Sequence, residues 1–402
     1  MRPTSASISL LLLPALGIWP VSKATVVLPA WFPQGRTAAD GRAMHLTELR
    51  VQHLRNIEEE QFELADGLNL FVGPNGAGKT SILEAAYLLS HGASFRTHQI
   101  EHLQQRGTSQ LALFARVQTR TLTRRLGLLR QGARWLAKLD GDASGRLADL
   151  FAACAVVCFE PGSHALISGG AEGRRSFLDW GVFHVEQDFA SRMRRYRRAL
   201  KQRNALLKQE ASDDELAVWD EELSLSAEPL ASAREAYIER FYRELIPLLE
   251  GYLPELGQAN LRFRPGWDRS KHLRDALAEV RLRDRAIGHT TRGLHRADWV
   301  LSFANAPSHE QLSRGQEKLC AIACMLAQVT LYRLVLQENP IIAFDDLCSE
   351  LDGGHQAAAL AALMESGAQI LLTGTEIPPV LLERFPPQRR FHVEQGRVRE
   401  VI

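Results

Sequence analysis

The sequence predicts an α/β fold built on a parallel sheet, with a phosphate-binding loop after an early strand and a helical hairpin domain inserted in mid-chain. Three observations carry this. Gly73-Pro74-Asn75-Gly76-Ala77-Gly78-Lys79-Thr80 fits G-x-x-x-x-G-K-[ST], with a strand-like run, Leu68 to Val72, before it and a helical pattern through Ile82, Leu83, Ala85, Ala86 and Leu89 after it. Two short apolar runs, Ile341 to Phe344 and Gln369 to Thr373, have the composition of buried parallel strands. Between them and the loop, from about Arg174 to Arg285, the pattern turns to long charged helices.

The loop's chemistry follows from its spacing. Glycines let the backbone curl so that successive N–H groups face phosphate oxygens, and the next helix aims its positive end at the same charge. Lys79 is placed to reach the β- and γ-phosphates, and the Thr80 hydroxyl to ligate Mg²⁺, so ATP with Mg²⁺ is the expected ligand.

The chain has 402 residues, enough for two or three domains. Its net charge of +1 means that any affinity for a polyanion must be local. Among five cysteines, Cys154, Cys158, Cys320 and Cys324 lie in apolar surroundings with no CxxC or His to complete a metal set, so they read as buried residues in a reducing compartment. Residues 1–43 differ from the rest. Ser7 to Ile18 imitates the apolar core of a secretory signal, but Pro14 breaks it and it is too short for a membrane span. Because ATP is cytosolic, residues 1–43 are expected to be an extension outside the fold of a cytoplasmic protein that starts at or near Met44.

From 44 to 165 the chain reads as the first half of the ATPase domain. Leu46 to Leu54 is a strand, Leu111 to Val117 pairs with Leu122 to Leu129, Asp140 to Gly145 is a turn, and Cys154 to Phe159 is a buried strand. Residues 166–290 form the insertion. Between Ser191 and Lys208 it carries eight basic residues and no acidic one, while Met193, Tyr196, Leu200 and Leu207 keep a narrow apolar stripe. A second helix, about Ala231 to Leu249, presents Tyr237, Phe241, Leu245 and Leu248, so the two should pack as a short hairpin with arginines outward. Uncompensated like charges point to DNA, with Arg192, Arg194, Arg195, Arg198 and Lys201 as the candidate contacts. Residues 291–402 return to α/β and close with a hairpin around Gln395-Gly396, and these late strands should share one sheet with the loop.

Three further signals narrow the hydrolase. The strand from Ile341 ends in Asp345-Asp346: Asp345 fits a Mg²⁺-holding carboxylate and Asp346 one that polarises the attacking water. Ser349-Glu350-Leu351-Asp352 follows closely. Leu312-Ser313-Arg314-Gly315-Gln316 precedes an apolar helix and resembles the LSGGQ signature of ABC-type ATPases, with Ser313 as cap and Gly315 at a second anion-binding helix end. Two such ends in one chain make sense in a head-to-tail pair, each signature closing on the partner's nucleotide.

Together these strings resemble the RecF family of bacterial recombination mediators, within the ABC/SMC superfamily. Leu54-Arg55-Asn56, Ser81 to Ala85, His91 to Arg96, Gly173 to Asp179, His295 to Asp298, Ser313 to Lys318 and Asp345 through Asp352 carry the match, which spans Met44 to Ile402. The resemblance implies an ABC/SMC-type ATPase head that binds ATP and Mg²⁺, dimerises on ATP, and hydrolyses it slowly with stimulation by DNA. It implies binding to duplex, single-stranded or gapped DNA and work with RecO- and RecR-like mediators in replication, gap repair and SOS induction, away from membranes. Arg55 and Asn56 would lie near the nucleotide, Arg55 toward the adenine, and Ser313, Gly315 and Gln316 would act in trans. Thr373 stands where transporter ATPases carry a switch histidine. Leu294, where a proline is usual, and the lack of an acidic residue after Pro161 depart from the pattern. A transporter ATPase subunit and a long-armed SMC-like organiser are the alternatives. The helical run from Arg174 to Arg285, about 110 residues at most, is large for the first and short for the arms of the second.

Overall fold

The computed structural model describes residues 44–401 except 98, 133, 143–145, 210, 347–359 and 378. The expectations for residues 1–43 and for Ser349 to Asp352 lie outside the described residues.

The expected shared sheet forms. Six strands run in the order β13-β12-β3-β11-β10-β7, from β3 (Leu68–Val72), β7 (Val156–Phe159), β10 (Ile341–Phe344), β11 (Ile370–Gly374), β12 (Arg389–Glu394) and β13 (Arg397–Val401). All neighbours are parallel except the closing hairpin β12–β13. Every residue of β7, β10 and β11 is buried, as expected of strands covered on both faces. A second sheet is wholly antiparallel, in the order β2-β1-β4-β5-β6, from β1 (His45–Leu54), β2 (Ile57–Glu63), β4 (Gln110–Gln118), β5 (Thr123–Gln131) and β6 (Arg134–Leu139). The pairing expected of residues 111–129 is β4 with β5.

Helix α1 (Lys79–His91) follows β3, and two short helices, α2 (Leu147–Ala152) and α3 (Ala165–Ser168), flank β7. Then come α4 (Ala171–Val185), α5 (Phe189–Lys208) and α6 (Asp213–Tyr252). Helix α6 has 40 residues, twice the expected length, because its first turns are polar yet well anchored. Ser212 and Glu215 form a reciprocal cap, and Asp213, Asp220 and Glu222 meet arginines from α5 and from α8 (Arg281–Ile287). The expectation of helices alone also fails at Ala259–Arg264. That segment is β8, which follows α6, precedes α7 (Leu273–Glu279) and pairs antiparallel with β9 (Asp298–Phe303).

The stripe on α5 also differs from expectation. Met193, Tyr196 and Leu207 are buried as expected, but so is Arg203, fully. Its guanidinium donates to Asp220 at 2.6 Å and to Asp284 at 2.7 Å, both carboxylates being buried. Arg195 pairs with Glu222 and Arg192 with Asp188, so the basic run is not uncompensated. Arg194, Arg198 and Lys201 stay exposed.

Helix α9 (Arg314–Leu336) has the length and apolarity of a membrane span, but it is a core helix packed against α4, α6 and β7. A stack of rings ties it to α1: Tyr87 lies 3.6 Å from His91, which faces Trp180 at 5.5 Å. Trp180 leads to His184 at 4.5 Å, and His184 to Tyr332 of α9 at 5.5 Å. Cys154, Cys158, Cys320 and Cys324 are free and buried as expected, and burial pushes the Cys154 thiol up to about 12.

Candidate functional site

The loop between β3 and α1 is shaped by contacts from three directions. Gly78 caps α1 at φ +115°, a backbone open to glycine and strained for other residues. Gly73 is required for a different reason: a Cβ there would stand 2.0 Å from the Val393 carbonyl of β12. The turn between β12 and β13 also reaches the loop, where the Gly396 N–H donates to the Ala77 carbonyl at 2.7 Å. From the antiparallel sheet, the Asn56 side chain donates to the Gly76 carbonyl at 3.1 Å. The sequence offered Gln395-Gly396 only as a hairpin turn; its contact with the loop joins residues over 300 positions apart and leaves no local signal.

Lys79 Nζ donates to the carbonyls of Gly73 at 2.8 Å and Pro74 at 3.0 Å, so the ammonium is held over the loop it must serve. Burial lowers its affinity for the proton, against the pull of Asp346 and Asp345 nearby. Thr80 Oγ lies 3.0 and 2.9 Å from the two carboxylate oxygens of Asp345. The two predicted Mg²⁺ ligands, 265 positions apart, thus meet at the end of β10. Burial raises the Asp345 pKa, while hydrogen bonds from Thr373 and Thr80 oppose the shift. Thr373 Oγ donates to Asp345 at 2.6 Å and accepts the Asp346 N–H at 3.0 Å. Thr373 therefore holds the Asp345 carboxylate and the backbone of Asp346 at the end of the strand. Asp346 sits at φ +51°, which turns it away from the line of β10.

Arg55 grips Glu84 of α1 with two hydrogen bonds, at 2.9 and 2.8 Å, and donates to the His102 carbonyl at 2.9 Å. Glu84 is fully buried and also accepts from Ser94. Arg55 therefore fixes α1 against the antiparallel sheet, a placement the family string did not specify. Glu160, before Pro161, accepts the Gly162 N–H at 2.6 Å and closes a turn of its own.

The signature segment lies at the start of α9 as expected. Ser313 caps the helix by accepting the Gln316 N–H at 3.3 Å, and Gln316 Oε1 accepts the Ser313 N–H at 3.0 Å. Gln316 Nε2 donates to Glu255, so its amide is held within its own chain. Among the described residues, no hydrogen bond joins Ser313, Gly315 or Gln316 to the phosphate loop. Ile322, Met325, Leu326 and Val329 line one cavity with Val157, Phe159, Ile342 and Phe344 of the sheet, and Ser313 stands about 14 Å along the axis of α9 from Ile322.

Comparison with known proteins agrees with this geometry. A family model described as the RecF/RecN/SMC N terminal domain matches residues 45–131. The DNA replication and repair protein RecF of Xanthomonas oryzae pv. oryzae is 49% identical over 361 residues, 88% of this chain and 100% of that one. RecF of Stenotrophomonas maltophilia is 47% identical, and RecF of Shewanella loihica 37%, each over 88% of this chain and 99% of the relative. Among solved structures, the recombination mediator protein RecF with ATP, in the RecFOR pathway, superposes with a TM-score of 0.82 at 22% identity, over 91% of this chain and 100% of that one. An Smc head bound to a winged-helix domain of ScpA gives 0.54 at 13% identity, over 89% and 97%. The fold is that of an ABC/SMC-type ATPase head, and the transporter alternative falls away. At 49% identity over the whole of a curated relative, the chain belongs to the RecF family of DNA replication and repair proteins.

Proposed function

We propose that the chain is an ATP-controlled DNA-binding mediator in which two copies close head to tail on nucleotide. The meeting of Thr80 and Asp345 carries the proposal, because a buried carboxylate against the hydroxyl that ends the phosphate loop is the arrangement a nucleotide–metal site needs. Their hydroxyl and carboxylate oxygens are hard donors and suit Mg²⁺. Thr80 and Asp345 would hold the ion, which would supply charge neutralisation at the phosphates. The loop N–H groups and Lys79 bind and orient the phosphates, Thr373 holds the Asp345 carboxylate, and Asp346 is placed to orient a water. With threonine rather than histidine at position 373, slow hydrolysis that serves release is the expected behaviour.

Among the described residues no hydrogen bond joins Ser313 or Gln316 to the phosphate loop of their own chain, which supports completion of each site by the partner's Ser313 end of α9. Arg194, Arg198 and Lys201 on α5, which stay exposed, supply sequence-neutral contacts to DNA, while Arg192 and Arg195 are held by Asp188 and Glu222. By family, RecO- and RecR-like proteins are the expected partners, in gap repair and SOS induction.

The test is fluorescence anisotropy on gapped duplex DNA, with and without Mg-ATP, across about 50 to 200 mM salt. ATP-dependent binding that weakens steeply with salt is expected. Binding indifferent to both ATP and salt would refute the proposal.

A further inference from the structure

Helices α5 and α6 do not close completely along their outer faces. A cleft of about 580 Å³ opens between them, lined by Arg194, Arg195, Arg198, Val218, Trp219 and Glu222, with Ala199 at its side. The three arginines are not equivalent. Arg195 is committed: both its Nε and its Nη2 donate to Glu222, the latter at 2.7 Å. The hydrogen bond from Arg195 draws the Glu222 carboxyl below its usual range, so the pair stays ionised and cancels. Arg194 and Arg198 are exposed, and neither donates a hydrogen bond to another described residue. On the opposite wall Val218 is 66% exposed. Trp219 is half-buried, and among the described residues its ring stacks on no other and its indole N–H has no acceptor.

An aromatic ring facing two guanidinium groups that donate no hydrogen bond suits a ligand with a flat apolar face and flanking negative charge. Duplex DNA presents only phosphates at such a site, because its bases are stacked on one another. A single strand presents both, since an unpaired base can lie on a tryptophan while its phosphates meet cations. The spacing agrees. Arg194, Arg198 and Lys201 stand at i, i+4 and i+7, about 6 and 4.5 Å apart along the axis, steps comparable to those between phosphates of an extended strand.

We propose that this cleft is a single-stranded DNA subsite, with one unstacked base on Trp219 and the adjoining phosphates on Arg194 and Arg198. The proposal rests on the reading of α5 as a DNA contact and assigns that contact to the unpaired part of a gapped substrate.

The test uses the full chain and three fluorescein-labelled probes: oligothymidylate, an abasic strand of equal length, and blunt duplex. Trp219→Ala should weaken oligothymidylate binding roughly tenfold and leave abasic and duplex binding unchanged. Trp219→Phe, which keeps a ring, should retain the preference for bases and guards against a packing artefact. Arg194→Ala with Arg198→Ala should weaken the thymidine and abasic strands alike. Equal wild-type binding of the thymidine and abasic strands overturns the subsite while leaving duplex binding, and the proposed function, intact. So does a Trp219→Ala protein that keeps its oligothymidylate affinity but loses binding of an acidic, aromatic-containing peptide, which would assign the cleft to a protein partner. Failure of the wild type to bind any of the three DNAs overturns both readings.

Discussion

Replacing Gly396 with alanine perturbs the phosphate loop without touching any group that meets a phosphate. Gly396 sits at φ +79°, its N–H donates to the Ala77 carbonyl at 2.7 Å, and a Cβ there would stand 2.2 Å from the Asn56 carbonyl oxygen. The left-handed backbone costs an alanine about 1–2 kcal/mol. The new carbon must also retreat by roughly 1 Å to reach ordinary contact, which breaks the hydrogen bond to Ala77 at a further cost of about 1 kcal/mol. The hairpin escapes this by withdrawing from the loop, and must return when nucleotide binds. A penalty of about 2–3 kcal/mol converts to roughly thirtyfold to hundredfold weaker Mg-ATP binding. Titration with a fluorescent ATP analogue reads the affinity, and thermal unfolding in parallel confirms that the fold survives. Gln395→Gly, which removes a side chain at φ +47° in the same turn, is the control and should bind normally. An unaltered ATP affinity in Gly396→Ala would refute the idea that the hairpin sets the loop.

Two further outcomes concern stability. Arg203→Met leaves the buried Asp284 without a cation among the described residues and Asp220 with Arg281 alone, and should cost about 3–5 kcal/mol in urea unfolding, whereas Arg192→Ala, losing an exposed pair at 3.5 Å, should cost under about 1 kcal/mol. Equal effects would contradict the buried network. Burial holds His184 down to about 3 and His295 to about 4, so both are neutral in the fold, while in the unfolded chain they bind protons near pH 6.5. Stability is therefore complete above about pH 6.5 and falls as pH drops toward 4, by about 2 kcal/mol per histidine at pH 5. A melting temperature that does not change between about pH 7 and 5 would contradict their burial as neutral groups.

What the sequence made legible was local. The phosphate loop, the Ser313 cap and the apolar strands declare themselves within a few neighbours, and Asp345 follows from the end of one strand. Arg203 could not be placed, because the carboxylates that bury it lie 17 and 81 positions away. The acidic first turns of α6 fell outside the expected helix for the same reason, their arginine partners being on other helices. β8 did alternate, with Leu261 and Phe263 between Asn260, Arg262 and Arg264, but six residues after a 40-residue helix gave too short a period to override the helical context. Leu294 shows the reverse. It departs from the family string yet is buried, its carbonyl accepting from Arg234 at 2.9 Å.

The central claim is that a nucleotide site here is half of a pair. Mixing Lys79→Ala subunits with Ser313→Arg subunits and measuring ATP hydrolysis tests it most directly, since a mixed dimer then contains one site built from an intact loop and an intact signature. The account predicts activity in the mixture well above that of either parent alone. A mixture that only averages its parents would show that each subunit works by itself and would contradict the account.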